Sequence, residues 1–307
     1  MTLDIGLLGC GRWGQLILRD LLSLGARVHV VAPAPATRAF AMEHGAASAV
    51  ETFATIPVPV AGYVVATPTS THAAEIQKLL PTGRPIFVEK PLADDVAQAR
   101  RIVSAAGERV FVMDKWRYHP GIEAMARMAR GGELGRVLAI HTYRLGWGQV
   151  HADVEAIWTL LPHDLAIAFE ILGRLPAAAA AWAPVPGRGG SDLTALLDDG
   201  EDEPRVISQI SSSHPLTRRS VVVVGERKVV QLADAYDDKL IVMEGRPDGA
   251  SSGPQERKVG SAMPLLAELR AFLDYLQGGP QPRSSAAEGL LEVERIAALR
   301  RLAGLET

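Results

Sequence analysis

An α/β unit built on a doubly wound parallel sheet, followed by an α+β unit with an open, largely antiparallel sheet, is the architecture this sequence predicts. Three observations carry that expectation. Between Asp4 and Asp114, short apolar runs alternate with amphipathic helical runs. A glycine-rich turn joins the first apolar run to the first helical one. Beyond Tyr118 the order changes, and strand-like runs follow one another without helices between them.

The first unit, expected over residues 1–118, opens with DIGLLG (Asp4–Gly9) as a strand and RWGQLILRDLLSLG (Arg12–Gly25) as a helix closed by glycine. RVHVV (Arg27–Val31) is a second strand and ATRAFAMEHG (Ala36–Gly45) a short helix. GYVVAT (Gly62–Thr67) is a strand followed by a helix from Thr71; RPIFVE (Arg84–Glu89) is a strand followed by a helix from Asp94 to Ala106; RVFVMD (Arg109–Asp114) is the last strand. These strands alternate little, as expected where helices cover both faces. Repeated βα units of this kind imply a parallel, doubly wound sheet.

The second unit, expected over residues 119–307, begins with a helix (Gly121–Arg130) and a longer strand (Arg136–Trp147). WTLLPHDLAIAFEILG (Trp158–Gly173) is an apolar helix that carries His163 and Asp164 just after Pro162. DLTALLDD, RVISQISSS, RRSVVVVG, KVVQLAD and KLIVME then read as successive antiparallel strands. The stretch Gly245–Ala262 is a Gly/Pro/Ser-rich loop, and two helices (Leu265–Gln277, Ala286–Ala303) close the sequence.

Bulk composition narrows the functions open to it. The 307 residues suit two domains that each bury a core. A net charge of −3 gives no general attraction to nucleic acid or membrane. The single cysteine, Cys10, excludes an internal disulfide and a cysteine-based metal cluster, and points to a reducing, cytoplasmic compartment; Cys10 itself reads as a small buried residue. Met1–Asp4 lacks a basic leader region, and no apolar stretch reaches the ~20 residues of a membrane helix.

GCGRWG sets Gly9, Gly11 and Gly14 in the G-x-G-x-x-G spacing, after a strand and opening a helix. Gly9 permits the tight turn, Gly11 lets a pyrophosphate approach the backbone, and Gly14 lets helix and strand pack closely. The pyrophosphate then lies at a helix N-terminus, where free N–H groups and the helix dipole favour negative charge. The alternative is a turn of the same shape that binds nothing. The acidic residue usual at the end of the second strand is absent from VVAPAPATR (Val30–Arg38). That leans the cofactor from NAD toward NADP, with Arg38 or Thr37 on a 2′-phosphate; otherwise Arg38 is a solvated helix charge.

Two further strand ends face the ligand side of such a sheet. In ATPTSTHAAE, Thr67-Pro68 follows a strand, Ser70 or Thr71 is placed to cap the next helix, and His72 is either a cofactor contact or an exposed polar helix start. In FVEKPLADD, Lys90 follows Glu89 at the end of a buried strand and precedes Pro91. A lysine there can hold a substrate hydroxyl and assist its proton transfer; the plainer reading is a snorkelling strand-end lysine.

GCGRWG, ATPTSTHAAE and VEKPLA, in that order, resemble the Gfo/Idh/MocA oxidoreductases. KWRYHP, WTLLPHDLAIAFEILG, VVVVGERKVVQLAD and the C-terminal helices extend the resemblance over essentially the whole chain. It implies a Rossmann domain that binds NAD or NADP, a second domain with an open sheet, and a sugar, cyclitol or nucleotide-sugar substrate bound between them. Hydride would pass between substrate and nicotinamide. Lys90 would polarise the reacting oxygen, His163 would exchange its proton, and Pro91 would fix the lysine's direction, often through a cis peptide. Arg12, Trp13, Thr67, Pro68, His72 and Glu89 join the three glycines, Arg38 and Lys90 as candidate cofactor contacts. Tyr118, Trp158 and Thr159 are candidate substrate contacts, and no metal is implied. Members form dimers or tetramers through the open sheet face.

Related nucleotide-sugar enzymes carry an acid four residues before the histidine; here it is Thr159. One helical turn puts the two on one face, so a hydroxyl stands where a carboxylate would tune the imidazole. Thr159 is alternatively an N-cap with Pro162 in the first turn, and Asp164 a helix-start acid complementing the dipole. Tyr118, His119, Asp153 and Trp158 read equally as packing residues at the domain junction. The second functional reading is a non-catalytic dinucleotide sensor of the same fold.

Overall fold

The βα alternation of the first half folds as six parallel strands. In the computed structural model, residues 2–148, 153–183, 190–245 and 253–305 are described. They fall into two units: Met1–Lys115 with Met263–Val293, and Trp116–Ala262 with Glu294–Thr307.

The first unit contains β1 (Asp4–Leu8), α1 (Arg12–Ser23), β2 (Arg27–Val31), α2 (Pro35–Glu43), β3 (Ser48–Val50), β4 (Gly62–Val65), α3 (His72–Leu79), β5 (Ile86–Glu89), α4 (Val96–Ala106) and β6 (Val110–Met113). Strand order is β3-β2-β1-β4-β5-β6, so the direction of winding reverses between β1 and β4. Register is set by apolar side chains that need cover on both faces: Leu7 pairs with Val30 on one side and Val64 on the other. β3 escapes the sequence reading because three residues are too short to show a period; it pairs parallel with β2 at the sheet edge.

The second unit contains α5 (Pro120–Arg130), β7 (Val137–Trp147), α6 (Ala156–Leu172), β8 (Ala178–Trp182), β9 (Asp192–Leu197), β10 (Arg205–Ser211), β11 (Ser213–Gly225), β12 (Lys228–Leu232), β13 (Lys239–Glu244) and β14 (Gln255–Lys258). The chain closes with α7 (Pro264–Leu276) and α8 (Ala286–Leu302). The eight strands order as β14-β13-β12-β11-β7-β10-β9-β8, antiparallel except for the parallel β7–β10 pair. One row of its side chains, Leu196–Ile207–His141–Val222–Gln231–Ile241, crosses the sheet in register and is half-buried throughout. Residues one step along, such as Val206, Ile140, Val223 and Val230, are fully buried.

β8 is an alanine run whose composition favours helix, yet it pairs with β9. Two expectations change here. β14 lies in the stretch expected as loop: its exposed residues pair with β13, and 246–252 of that stretch lie outside the described residues. α6 starts at Ala156, so Pro162 sits inside the helix and not in its first turn.

α7 belongs to the first unit, although a single cut at 118/119 would assign it to the second. Its buried stripe, Leu265, Leu269, Phe272 and Leu273, joins the core of β1, β2, β4 and α1, and Phe272 stacks on Phe87 with ring centroids 5.0 Å apart. Burying such a phenylalanine contributes about 2–3 kcal/mol. Gly62 makes the room: a Cβ there would lie 3.0 Å from the Phe272 ring. Periodicity predicts that α7 is a helix but not which sheet it covers. Among the described residues, no helix is long and apolar enough to cross a membrane.

Candidate active site

The glycines of the first turn do different things. Gly9 leaves β1 with φ +87°, and a Cβ on it would stand 2.5 Å from the Ala66 carbonyl oxygen. A Cβ on Gly14 would stand 2.4 Å from the Gly9 carbonyl oxygen. Both are therefore fixed by the protein's own packing. A Cβ on Gly11 would meet nothing within 4 Å. Gly11 is the N-cap of α1, no side chain caps that helix, and the residue itself is exposed. The open space thus lies where helix N–H groups and the dipole favour an anion, which fits a dinucleotide pyrophosphate.

Around this turn the predicted contacts take distinct places. Arg12 is exposed. The Trp13 indole N–H donates to the Glu89 carboxylate, and the Lys115 ammonium lies 4.3 Å from the Trp13 ring centroid. Arg38 donates from Nη1 to the carbonyls of Ala32 (2.8 Å) and Pro33 (2.7 Å), which holds the guanidinium at the end of β2. Thr71 stands at the N-cap of α3 without the expected capping bond; its hydroxyl donates to the Pro68 carbonyl (2.7 Å) and lies 2.8 Å from the Thr67 hydroxyl. Pro68 is exposed.

His72 is not an exposed helix start. It is 1% exposed, with Nδ1 2.8 Å from the Pro91 carbonyl and Nε2 3.1 Å from the Thr67 carbonyl. Each ring nitrogen thus faces a backbone carbonyl, and the side chain lies between the end of β4 and the turn after β5. In that turn the Lys90–Pro91 peptide is cis. Glu89 ends β5; burial pushes its carboxyl up, while Lys90, the Trp13 indole and Lys115 pull it back down and Asp114 adds to the rise.

Glu268 is the buried acid that sequence reasoning missed. It lies on α7, 0% exposed, and neither carboxyl oxygen has a hydrogen-bond partner among the described residues. Burial holds its carboxyl well above the usual range; Glu89 and Asp114 raise it further and Lys115 opposes them. A signal was present: in LLAELRAFL, Glu268 occupies the apolar stripe, three residues after Leu265 and four before Phe272.

In the second unit His163 is half-buried on α6. Thr159, one turn earlier, is 7% exposed, and its hydroxyl donates to the Ala156 carbonyl at 3.0 Å. Thr159 therefore bonds back into the helix and is not its N-cap; Glu155 holds that place. Asp164 is not a helix-start charge either. It sits inside α6, 1% exposed, and accepts from Arg144 Nε (3.1 Å) and Nη2 (2.9 Å). Burial pushes its carboxyl up and Arg144 pulls it back. The Arg144 guanidinium lies 4.8 Å from the Trp116 ring centroid.

The remaining candidates lie in the second unit, and all but Asp153 are buried. Trp158 is 5% exposed, with the Arg300 guanidinium 5.7 Å from its ring. Tyr118 is buried at the end of a short turn, and His119 caps α5: Nδ1 accepts from the Gly121 N–H at 3.1 Å, so the proton is on Nε2, which donates to the Ala235 carbonyl at 3.0 Å. Asp153 is exposed. Among the described residues, no three His, Cys, Asp or Glu side chains are placed to hold a metal ion.

Residues 3–113 match the Gfo/Idh/MocA model, described as an oxidoreductase family with an NAD-binding Rossmann fold. The chain is 31% identical to the inositol 2-dehydrogenase of Burkholderia vietnamiensis over 307 residues, covering 94% of this chain and 90% of that one. Levoglucosan dehydrogenase, solved with NADH and levoglucosan, superposes with a TM-score of 0.85 at 16% identity, covering 100% of this chain and 98% of that one. The aldose-aldose oxidoreductase of Caulobacter crescentus, solved with glycerol, gives a TM-score of 0.83 at 20% identity, covering 99% and 98%. At these identities the solved structures speak to the fold.

Proposed function

Because the chain belongs to the Gfo/Idh/MocA family of NAD-binding oxidoreductases, we propose that it moves a hydride between a nicotinamide dinucleotide and a CH–OH carbon of a cyclitol or sugar. As a member of that family it is an NAD(P)-dependent dehydrogenase acting on CH–OH groups. The observation that carries the reading is the conjunction, within one unit, of the open space at Gly11 with a lysine set at the C-terminal end of β5. The substrate class follows the relative named for inositol.

The cofactor, when bound, supplies the hydride acceptor or donor. The chain's own residues do the rest. The α1 N-terminus holds the pyrophosphate through its N–H groups. Arg38 stands at the end of β2 with no carboxylate in the Val30–Arg38 segment, which supports a 2′-phosphate and so NADP. Lys90 donates from its ammonium to the reacting substrate oxygen, and His163 takes or returns that oxygen's proton. Thr159 gives His163 no charge, because a hydroxyl carries none, and its proton is donated to the Ala156 carbonyl. Assembly into dimers or tetramers is part of the same reading.

The test has two arms. Fluorescence titration with NADPH and NADH is expected to show tighter NADPH binding, and Arg38→Ala to narrow the gap; equal affinities would remove the NADP preference. With a panel of inositols and sugars, Lys90→Ala and His163→Ala are each expected to lower kcat by about 10²–10⁴-fold while cofactor still binds. Full turnover in His163→Ala would remove the proposed proton carrier. Tight cofactor binding with no redox change across the panel would favour the sensor reading.

A further inference from the structure

Glu268 is the charged residue on the buried stripe of α7, and the reading above gives it no work. The charged groups acting on it come from two strand ends: Glu89 at the end of β5, and Asp114 and Lys115 just after β6. Glu89 in turn faces Lys90, Lys115 and Asp114 and accepts from the Trp13 indole of α1. Three carboxyl groups, Glu89, Asp114 and Glu268, thus stand against two ammonium groups, Lys90 and Lys115. With Glu268 neutral, two carboxyl groups face two ammonium groups, and the indole N–H and both lysines favour the charged form of Glu89. With Glu268 ionised, the cluster carries a surplus negative charge on a side chain that is 0% exposed and has no hydrogen-bond partner among the described residues. A neutral acid is the form such surroundings favour.

The cluster lies beyond the C-terminal ends of β5 and β6, on the side of the β1/β4 switch away from β2 and Arg38. A dinucleotide with its pyrophosphate at α1 and its adenosine ribose at the end of β2 places its other half on this side. The oxidised nicotinamide ring is positively charged; the reduced ring is neutral.

We propose that Glu268 is a proton-storing positioning residue of the dinucleotide site: it is a neutral acid in the protein alone and with reduced cofactor, and it releases its proton to solvent when the oxidised ring comes to the Glu89–Lys90 turn. In that step the Glu268 O–H bond breaks, a carboxylate remains, water takes the proton, and no electrons move. The ionised Glu268 then offsets the ring's charge, so rising pH favours the oxidised over the reduced cofactor. The inference rests on the cofactor reading above.

Two measurements test it. Infrared spectra of the cofactor-free protein at neutral pH are expected to show the C=O stretch of a buried, protonated carboxylic acid that Glu268→Gln removes. No such band, or one unchanged in the variant, overturns the proposal even if cofactor binds. Calorimetric titrations with NADP⁺ and NADPH (and with NAD⁺ and NADH), each in two buffers of different ionisation enthalpy, count protons per mole of cofactor bound. Release of part of a proton is expected for the oxidised form, none for the reduced, with the difference lost in Glu268→Gln. Equal release for both forms, or wild-type release in the variant, overturns the proposal. Gln keeps the shape of the neutral acid; Glu268→Met provides the same comparison if Gln weakens the fold. Binding of neither cofactor would sink the cofactor reading and the exchange with it, while the infrared band separately decides whether Glu268 holds a proton.

Discussion

Asp164 in the second unit and Glu268 in the first are both almost fully buried, at 1% and 0% exposure, yet their surroundings have opposite logic. Asp164 accepts two bonds from one guanidinium, and its neighbour on α6, Glu170, is met by Arg117 at 3.0 Å and Arg130 at 3.4 Å. An arginine does not give up its proton, so these pairs fix charge and geometry together. Glu268 has no guanidinium and no hydrogen bond among the described residues; it shares its cluster with two other acids and with lysines. Lysines and surplus acids leave a proton free to move. The first arrangement anchors the helix that carries His163. The second leaves adjustable charge beside Lys90.

The largest expected effect comes from breaking the anchored pair. Arg144→Met leaves Asp164 buried without its cation and should destabilise the protein by about 3–5 kcal/mol in urea unfolding. Adding Asp164→Leu should recover most of the loss, because the uncompensated charge goes with it. If the single variant does not fold, recovery of folding in the double variant carries the same information. A loss under about 1 kcal/mol for Arg144→Met would mean that the pair does not anchor α6.

The storing acid should show itself in the pH dependence of stability. Its folded pKa lies above the unfolded value of 4.5, so below that pH it is neutral in both states. Above it the unfolded chain gains by ionising and the folded one does not. Stability therefore falls as pH rises, by up to about 1.4 kcal/mol per pH unit, until the folded group ionises too. Glu268→Gln lacks this slope. The variant should match the wild type near pH 4 and become the more stable of the two as pH rises, read from denaturant midpoints at a series of pH values. Parallel curves would show that Glu268 ionises in the fold as it does in water.

Much of this was legible in the sequence for physical reasons. The βα rhythm and the glycine spacing follow from local sterics and burial, so the parallel strands, the turn and the Glu89–Lys90–Pro91 strand end could be read from residue order. What could not be read depends on partners distant in sequence. Asp164 looked like a helix-start charge because nothing local announces that Arg144, twenty residues earlier, reaches it. His72 read as a cofactor contact or an exposed helix start because the groups it meets are backbone carbonyls, which every residue has. Glu268 was visible as an acid on an apolar stripe, but its significance appears only when α7 is placed against the first unit, a choice that amphipathicity leaves open.

The smallest effect belongs to a pair in water, and it sharpens the contrast between the two buried acids. Glu133 accepts from Arg257 at 2.9 and 2.6 Å and from Lys228 at 3.2 Å, and these bonds hold its carboxyl down to about 2. A lowered pKa contributes stability that is present above 4.5 and is lost as pH falls through about 2. Both partners are partly solvated, with side chains 44% and 32% exposed, so solvent screening discounts that contribution. Arg257→Ala should cost under about 1 kcal/mol, and the cost should vanish in 1 M salt, where charges are screened beyond about 3 Å. A loss that survives salt would place this pair with Arg144–Asp164. The Arg257–Glu133 contacts are as short as those of Arg144 to Asp164, so a several-fold difference in effect would trace to burial and not to contact length.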